Sequence, residues 1–350
     1  MSMLPAKRDI DPAARKIRQR YLGATVITCI TLAMVFGTAH VVKLGANRMK
    51  DMRGKATYDL ADMSDHIRAA GEDITRHQEH EKKKQADKVY AWNEIESLVS
   101  QEQWNELSAM VKIPAGDFLM GTDSEKADGQ NRPQHTVNLA EYSIDKYLVT
   151  NVEYARFVLA TKHRPPLDWS NGNIPDGKFL FPVTMVSWYD AQAYCRWDDK
   201  RLPTEAEWEK AARGEDGRRW PWGNNMDPTR LNTYYNVGAT TEVMAYQSGV
   251  SPYGVFDMAG NVSQWTSSDL TPYEGTTAPG DLFRPKIAQV NSAQDRSLKV
   301  ADLVEVKGVY KVRRGGSWKS DPFSTATYHR NYSLPHYASD FFGFRCAKSE

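Results

Sequence analysis

From Tyr21 to Val42 the chain reads YLGATVITCITLAMVFGTAHVV, 22 residues without a charge. At 1.5 Å per residue such a run crosses a hydrocarbon core of about 30 Å, so the pattern predicts one transmembrane helix over 21–42. No polar face interrupts the run, which sets it apart from a buried core helix. A cleaved signal peptide is the rival reading, because Gly37-Thr38-Ala39 is a small-residue site. The length of the run and the 20-residue polar head before it favour an uncleaved anchor. Beyond the span the period becomes helical: Leu60, Met63, Ile67, Ala70 and Ile74 alternate spacings of three and four over two heptads. After the polar stretch 75–88, the residues Val89, Trp92, Ile95, Val99, Leu107 and Met110 suggest a second amphipathic helix. Residues 43–111 are therefore expected to be a helical stalk, behind a basic cytoplasmic tail over 1–20.

Near Lys112 the texture changes. IPAGDFLMG mixes apolar residues with two glycines, and short apolar runs separated by turn residues follow. Residues 112–350 read as one irregular α+β domain. Three helix starts are legible as a hydroxyl at the N-cap with an acid three positions on: Thr150/Glu153, Ser187/Asp190 and Thr204/Glu207.

The chain has 350 residues, 45 Lys+Arg against 44 Asp+Glu, and 41% hydrophobic residues. A net charge of +1 removes the electrostatic footprint of nucleic-acid binding, and no nucleic-acid partner is expected. Three cysteines, Cys29, Cys195 and Cys346, are too few for a disulfide scaffold or a four-cysteine zinc site, though one pair is possible. His66, His77 and His80 lie among solvated charges and read as surface residues. Orientation is close to a tie by charge: Lys7, Arg8, Arg15, Lys16, Arg18 and Arg20 precede the span, and Lys43, Arg48, Lys50, Arg53 and Lys55 follow it. Because the large domain lies beyond the one span, the N-terminus is assigned to the cytoplasm and the domain to the outside. The expected location is the inner membrane, single-pass, with the domain in the periplasm or otherwise extracytoplasmic.

The blocks IPAGDFLMGT (113–122), RPQHTVNLAEYSIDKYLVTNVEYARFV (132–158), PVTMVSWYDAQAYCRWDDKRLPTEAEWEKAARG (182–214), WPWGN (220–224), YGVFDMAGNVSQW (253–265), RRGGSW (313–318) and GFRCAKS (343–349) resemble the formylglycine-generating enzyme family, also called the sulfatase-modifying factor family. The resemblance runs in the family's order from Ile113 to Ser349. It implies a variant C-type-lectin-like fold with little regular secondary structure and a central mixed sheet. Within the blocks, Glu205 and Glu209 near Lys210 and Arg213 read as structural surface charges. The tryptophans Trp188, Trp197, Trp208, Trp220, Trp222, Trp265 and Trp318 read as core fill, and His135 as a hydrogen-bonded fold residue.

The resemblance also implies ligands. Cys195 and Cys346 stand where family members from oxidising compartments have a structural disulfide; two buried thiols are the alternative. The family's known activity oxidises a substrate cysteine with oxygen and copper held by two active-site cysteines, the first shortly after GGS-aromatic and the second five residues later. Counting from Gly316 puts Ser320 and Thr325 there. A protonated hydroxyl cannot replace a thiolate for Cu(I), so no copper and no formylglycine generation are expected. Calcium is possible at Asp257, the carbonyls of Gly260 and Val262, and Gln264, where the family often has Glu. A poorer second set begins at Asn232 and Thr233.

Ser320, Thr325, His329 and Arg330 remain as cleft candidates, with Asp321 and Tyr332 beside them. A polar cleft that binds without transforming is preferred over a nucleophile-base set, because adjacency in sequence is not triad geometry. Two functions follow. The first is a membrane-anchored binding or scaffold subunit that joins other envelope proteins. The alternative is an enzyme or maturation factor using the same cleft for a different, possibly oxidative, reaction on a secreted peptide or cofactor.

Overall fold

Thr150, Ser187 and Thr204 each accept a hydrogen bond from the backbone three residues on, and Glu153, Asp190 and Glu207 each accept one in return from the cap amide. These reciprocal bonds satisfy amides that the first helical turn leaves orphaned. In the computed structural model, which describes residues 92–284, 286–288 and 306–350, they start three helices: α3 (Asn151–Thr161), α4 (Trp188–Trp197) and α5 (Glu205–Arg213). The expected tail, membrane span and most of the stalk lie outside the described residues. Among the described residues no helix is long and apolar enough to cross a membrane.

The second amphipathic pattern is not one stalk helix. It forms two short helices, α1 (Trp92–Ser97) and α2 (Gln101–Leu107), with Ser100 capping the second. Ile95, Val99, Trp104 and Leu107 are buried in the same cluster as Val152, Phe157, Trp188, Tyr194 and Phe344. Arg156 of α3 stacks its guanidinium on Trp104 at 3.3 Å and pairs with Glu96. The boundary expected at Lys112 therefore falls inside the packed unit, which includes residues from 94 on. The apolar stripe is present as expected, but what it faces is the domain itself.

Strand β4 (Tyr142–Asp145) lies between β1 (Met110–Ile113) and β11 (Ala347–Ser349), both antiparallel to it, so the two ends of the domain meet in one sheet. β2 (Gly116–Met120) pairs antiparallel with β3 (His135–Leu139), and β6 (Lys286–Ala288) with β7 (Val306–Gly308). The four-stranded sheet has the order β10-β5-β8-β9, built from β5 (Ser263–Asp269), β8 (Lys311–Arg314), β9 (Asn331–Ser333) and β10 (Phe342–Gly343). It is mixed: β10 runs parallel to β5, and the other pairs are antiparallel. A disulfide joins Cys195 of α4 to Cys346, closing 151 residues of chain beside this core.

The charges of α5 are not on the surface. Glu209, Lys210 and Arg213 are at most 1% exposed and Glu205 5%. Lys210 donates to the carbonyls of Pro114 and Gly116, and Arg213 to those of Leu119 and Gly121, so the helix fastens the β2 edge by its charged heads. Glu205 accepts from Arg314 at 2.7 Å and from both Nε and Nη2 of Arg330; Glu209 accepts from Arg314 and Arg213. Five ionic side chains thus compensate one another inside the protein, as burial of charge requires. Among the named tryptophans, Trp208, Trp265, Trp220, Trp188 and Trp318 are buried, while Trp197 is 36% exposed.

Candidate functional site

The GGSW turn leaves β8 and runs into the stretch that carries Ser320 and Thr325. Asp321 caps a short 3-10 turn, Pro322–Thr325, accepting from the amides of Phe323 and Ser324 and from the Ser324 hydroxyl. Burial raises the Asp321 carboxyl, but those bonds outweigh it and hold the group below its ordinary value. Both hydroxyls of interest are occupied locally. Ser320 Oγ accepts from the Ser317 amide at 2.9 Å and sits 3.2 Å from Ser317 Oγ. Thr325 Oγ1 donates to the Pro322 carbonyl at 2.7 Å and accepts from Trp220 Nε1 at 3.2 Å.

His329 does not serve either hydroxyl as a base. Its Nδ1 lies 3.4 Å from Asn131 Nδ2, and burial lowers its pKa, favouring the neutral ring. Arg330 is 1% exposed and belongs to the Glu205 network rather than to a cleft. The four cleft candidates therefore share a neighbourhood without forming a nucleophile-base pair. His135 bonds the Pro133 carbonyl and meets Tyr273 edge-on, as a fold residue does.

Sequence reasoning did not find the aromatic surface beside Ser320. Tyr234 donates its amide to the Ser320 carbonyl and Tyr235 to the Trp318 carbonyl, so loop 232–236 is laced to the GGSW turn. Both tyrosines have positive φ, 50° and 59°, a conformation that costs a non-glycine residue on the order of 1 kcal/mol or more. Tyr234 is 62% exposed and Phe323 65%. Arg219 lies over both Phe323 and Trp220, and Lys319 pairs with Asp340 over Trp318. An exposed aromatic held on a strained backbone, as Tyr234 is, suits binding. The available signal was YY two residues after Asn232, and nothing in its local pattern marks one of the two as exposed.

The expected calcium residues are close together but differently used. Gln264 Oε1 accepts from Trp208 Nε1 at 2.7 Å and from Arg345 Nε at 2.8 Å, while its Nε2 donates to the Asp257 carbonyl at 2.6 Å. Asp257 has φ 52°; its Oδ1 lies 3.4 Å from Asn261 Nδ2 and its buried Oδ2 has no donor. Desolvation pushes the Asp257 carboxyl up to about 7, against the opposing charge of Arg345. Oδ2 would suit a cation; the amide N–H of Gln264 would not. At the second position Thr233 Oγ1 donates to the carbonyls of Ser320 and Ser317, and Asn232 Nδ2 to that of Ala239, leaving Asn232 Oδ1 without a donor. Calcium needs six to eight oxygens: the first set turns an N–H of Gln264 toward the ion's place, and the second begins with no carboxylate.

Residues 95–350 match the model of the sulfatase-modifying factor enzyme 1-like domain. The chain is 33% identical over 259 residues to a protein named serine/threonine-protein kinase pkn1 from Chlamydia pneumoniae, covering 69% of this chain but only 38% of that relative. It is 31% identical over 297 residues to inactive C-alpha-formylglycine-generating enzyme 2 of Bos taurus, covering 68% of this chain and 87% of that one. Among solved structures, PvdO from Pseudomonas aeruginosa superposes with a TM-score of 0.52 at 25% identity, covering 69% of this chain and 94% of that one.

Proposed function

Because the chain belongs to the sulfatase-modifying factor enzyme 1-like family, we propose that it is a member that binds a protein partner, a membrane-anchored extracytoplasmic scaffold subunit rather than a formylglycine generator. One observation carries the reading: where the family's copper thiolates stand, Ser320 and Thr325 present hydroxyls that are bonded into their own turn. A hydroxyl supplies neither the soft ligand nor the thiolate charge that Cu(I) needs. The exposed side chains of Tyr234, whose amide bonds the Ser320 carbonyl, and of Phe323, three residues after Ser320, give this region a means of binding, since aromatic side chains bring large contact area at small entropic cost. The bovine relative's description as inactive is consistent with a family domain retained without that chemistry. The Cys195–Cys346 disulfide supports an oxidising compartment, and the charge-free run 21–42 supports a membrane anchor.

The test is purification of the tagged full-length chain from native membranes in mild detergent, with mass spectrometry of stoichiometric co-eluting proteins and elemental analysis. A defined partner set is expected, reduced on the order of tenfold by Tyr234→Ala with Phe323→Ala. A solitary chain carrying stoichiometric iron or copper overturns the reading in favour of an oxidative enzyme.

A further inference from the structure

We propose that the carboxamide of Gln264 takes the place of a bound cation in the 257–264 turn, so that this loop is held together without metal. The orientation of the amide is fixed by chemistry. Trp208 Nε1 and Arg345 Nε are both obligate donors, and both meet the same atom of Gln264 at 2.7 and 2.8 Å. That atom must be the oxygen. The NH2 group therefore faces the turn, and it donates to the Asp257 carbonyl at 2.6 Å.

A hard cation seated in this turn would meet an N–H dipole with its positive end inward. It would also meet the buried guanidinium of Arg345, whose other nitrogens donate to the carbonyls of Asp145, Lys146 and Phe256. Positive partial charge is already delivered to the loop by these two side chains. A second amide ties the turn to its neighbour: Asn261 accepts from the Thr241 amide, donates to the Thr241 carbonyl, and bonds the Asn232 carbonyl through its own amide. The loops approach so closely that a Cβ on Gly260, at φ 81°, would stand 2.3 Å from the Asn232 carbonyl oxygen. Amide groups of Gln264 and Asn261 thus hold together loop carbonyls of the kind that calcium sites recruit as ligands.

The change that would reverse the arrangement is small. In Gln264→Glu the carboxylate would keep one oxygen for Trp208 and Arg345 and turn a second, anionic oxygen toward Asp257, whose Oδ2 is buried without a donor. The experiment is thermal unfolding of the full-length chain in detergent, with EDTA or with calcium chloride, together with calcium titration followed by isothermal calorimetry. The wild type is expected to give the same midpoint in both buffers and no saturable heat. Gln264→Glu is expected to gain saturable calcium binding and a midpoint rise on the order of 5 °C at a hundredfold excess of calcium over Kd. A wild-type midpoint that falls in EDTA, or stoichiometric calcium binding by the wild type, overturns the proposal. So does a folded Gln264→Glu that binds no calcium. Should that variant fail to fold, the wild-type arms alone still decide.

Discussion

Arg314 shows what one buried side chain contributes. It is fully buried, and its Nη2 lies 2.7 Å from both Glu205 and Glu209, while its Nη1 donates to the Thr327 carbonyl. Removing it leaves two carboxylates in the interior with one fewer compensating charge. Arg314→Ala is therefore expected to cost about 3–5 kcal/mol in urea unfolding. Arg330→Ala is expected to cost about as much, because Glu205 would lose a bidentate partner. If Arg330 instead served a cleft, its variant would alter binding at unchanged stability. None of this ionic network was legible in the sequence. TEAEWEKAARG shows charges at helical spacing, but the partners of Glu205 lie 109 and 125 residues downstream, and local spacing carries no information about them. For Ser320 and Thr325 the reverse holds: their residue types alone decide what they can ligate.

Helix α3 carries the clearest pH dependence. Glu153 closes the capping box by accepting from the amide and hydroxyl of Thr150, yet burial pushes its carboxyl up to about 7 in spite of those bonds. Between the unfolded carboxyl value of about 4.3 and that folded value, the native state holds a proton that the unfolded state has released. Stability from this group is therefore lost as pH rises through that window. Glu153→Gln keeps a side chain able to cap and removes the titration. Its stability relative to wild type is expected to improve by about 2 kcal/mol between pH 5 and pH 7, measured by urea denaturation at each pH. Capping boxes were readable in advance because they are local, three residues from donor to acceptor. Helices α1 and α2 were readable only in part. Periodicity located Ile95, Val99 and Leu107 of the buried stripe but not Trp104, and a stripe does not say which surface covers it. Arg156 and the α3 core supply that answer.

At the scale of the whole molecule, strands from both ends of the domain meet in one sheet, and a disulfide closes 151 residues between α4 and the last strands. In the chain-entropy model such a loop is worth about 5 kcal/mol, so Cys195→Ser with Cys346→Ser should lower stability by several kcal/mol, as should reduction of the wild type in denaturant titration. With so little regular structure, the fold depends on this tie, the buried ion pairs and the amide-laced turns to bring distant loops to one place. What they assemble beside β8 is a region where the exposed Tyr234 and Phe323 stand near Ser320 and the buried Thr325, the two positions at which the resemblance implies copper thiolates. The most direct test of that account is copper content per chain, after loading with Cu(I) under reducing conditions and desalting, beside a formylglycine assay on a cysteine-containing peptide. Copper well below one equivalent with no aldehyde formed is the expected result. One tightly held copper per chain, or any turnover, would contradict it.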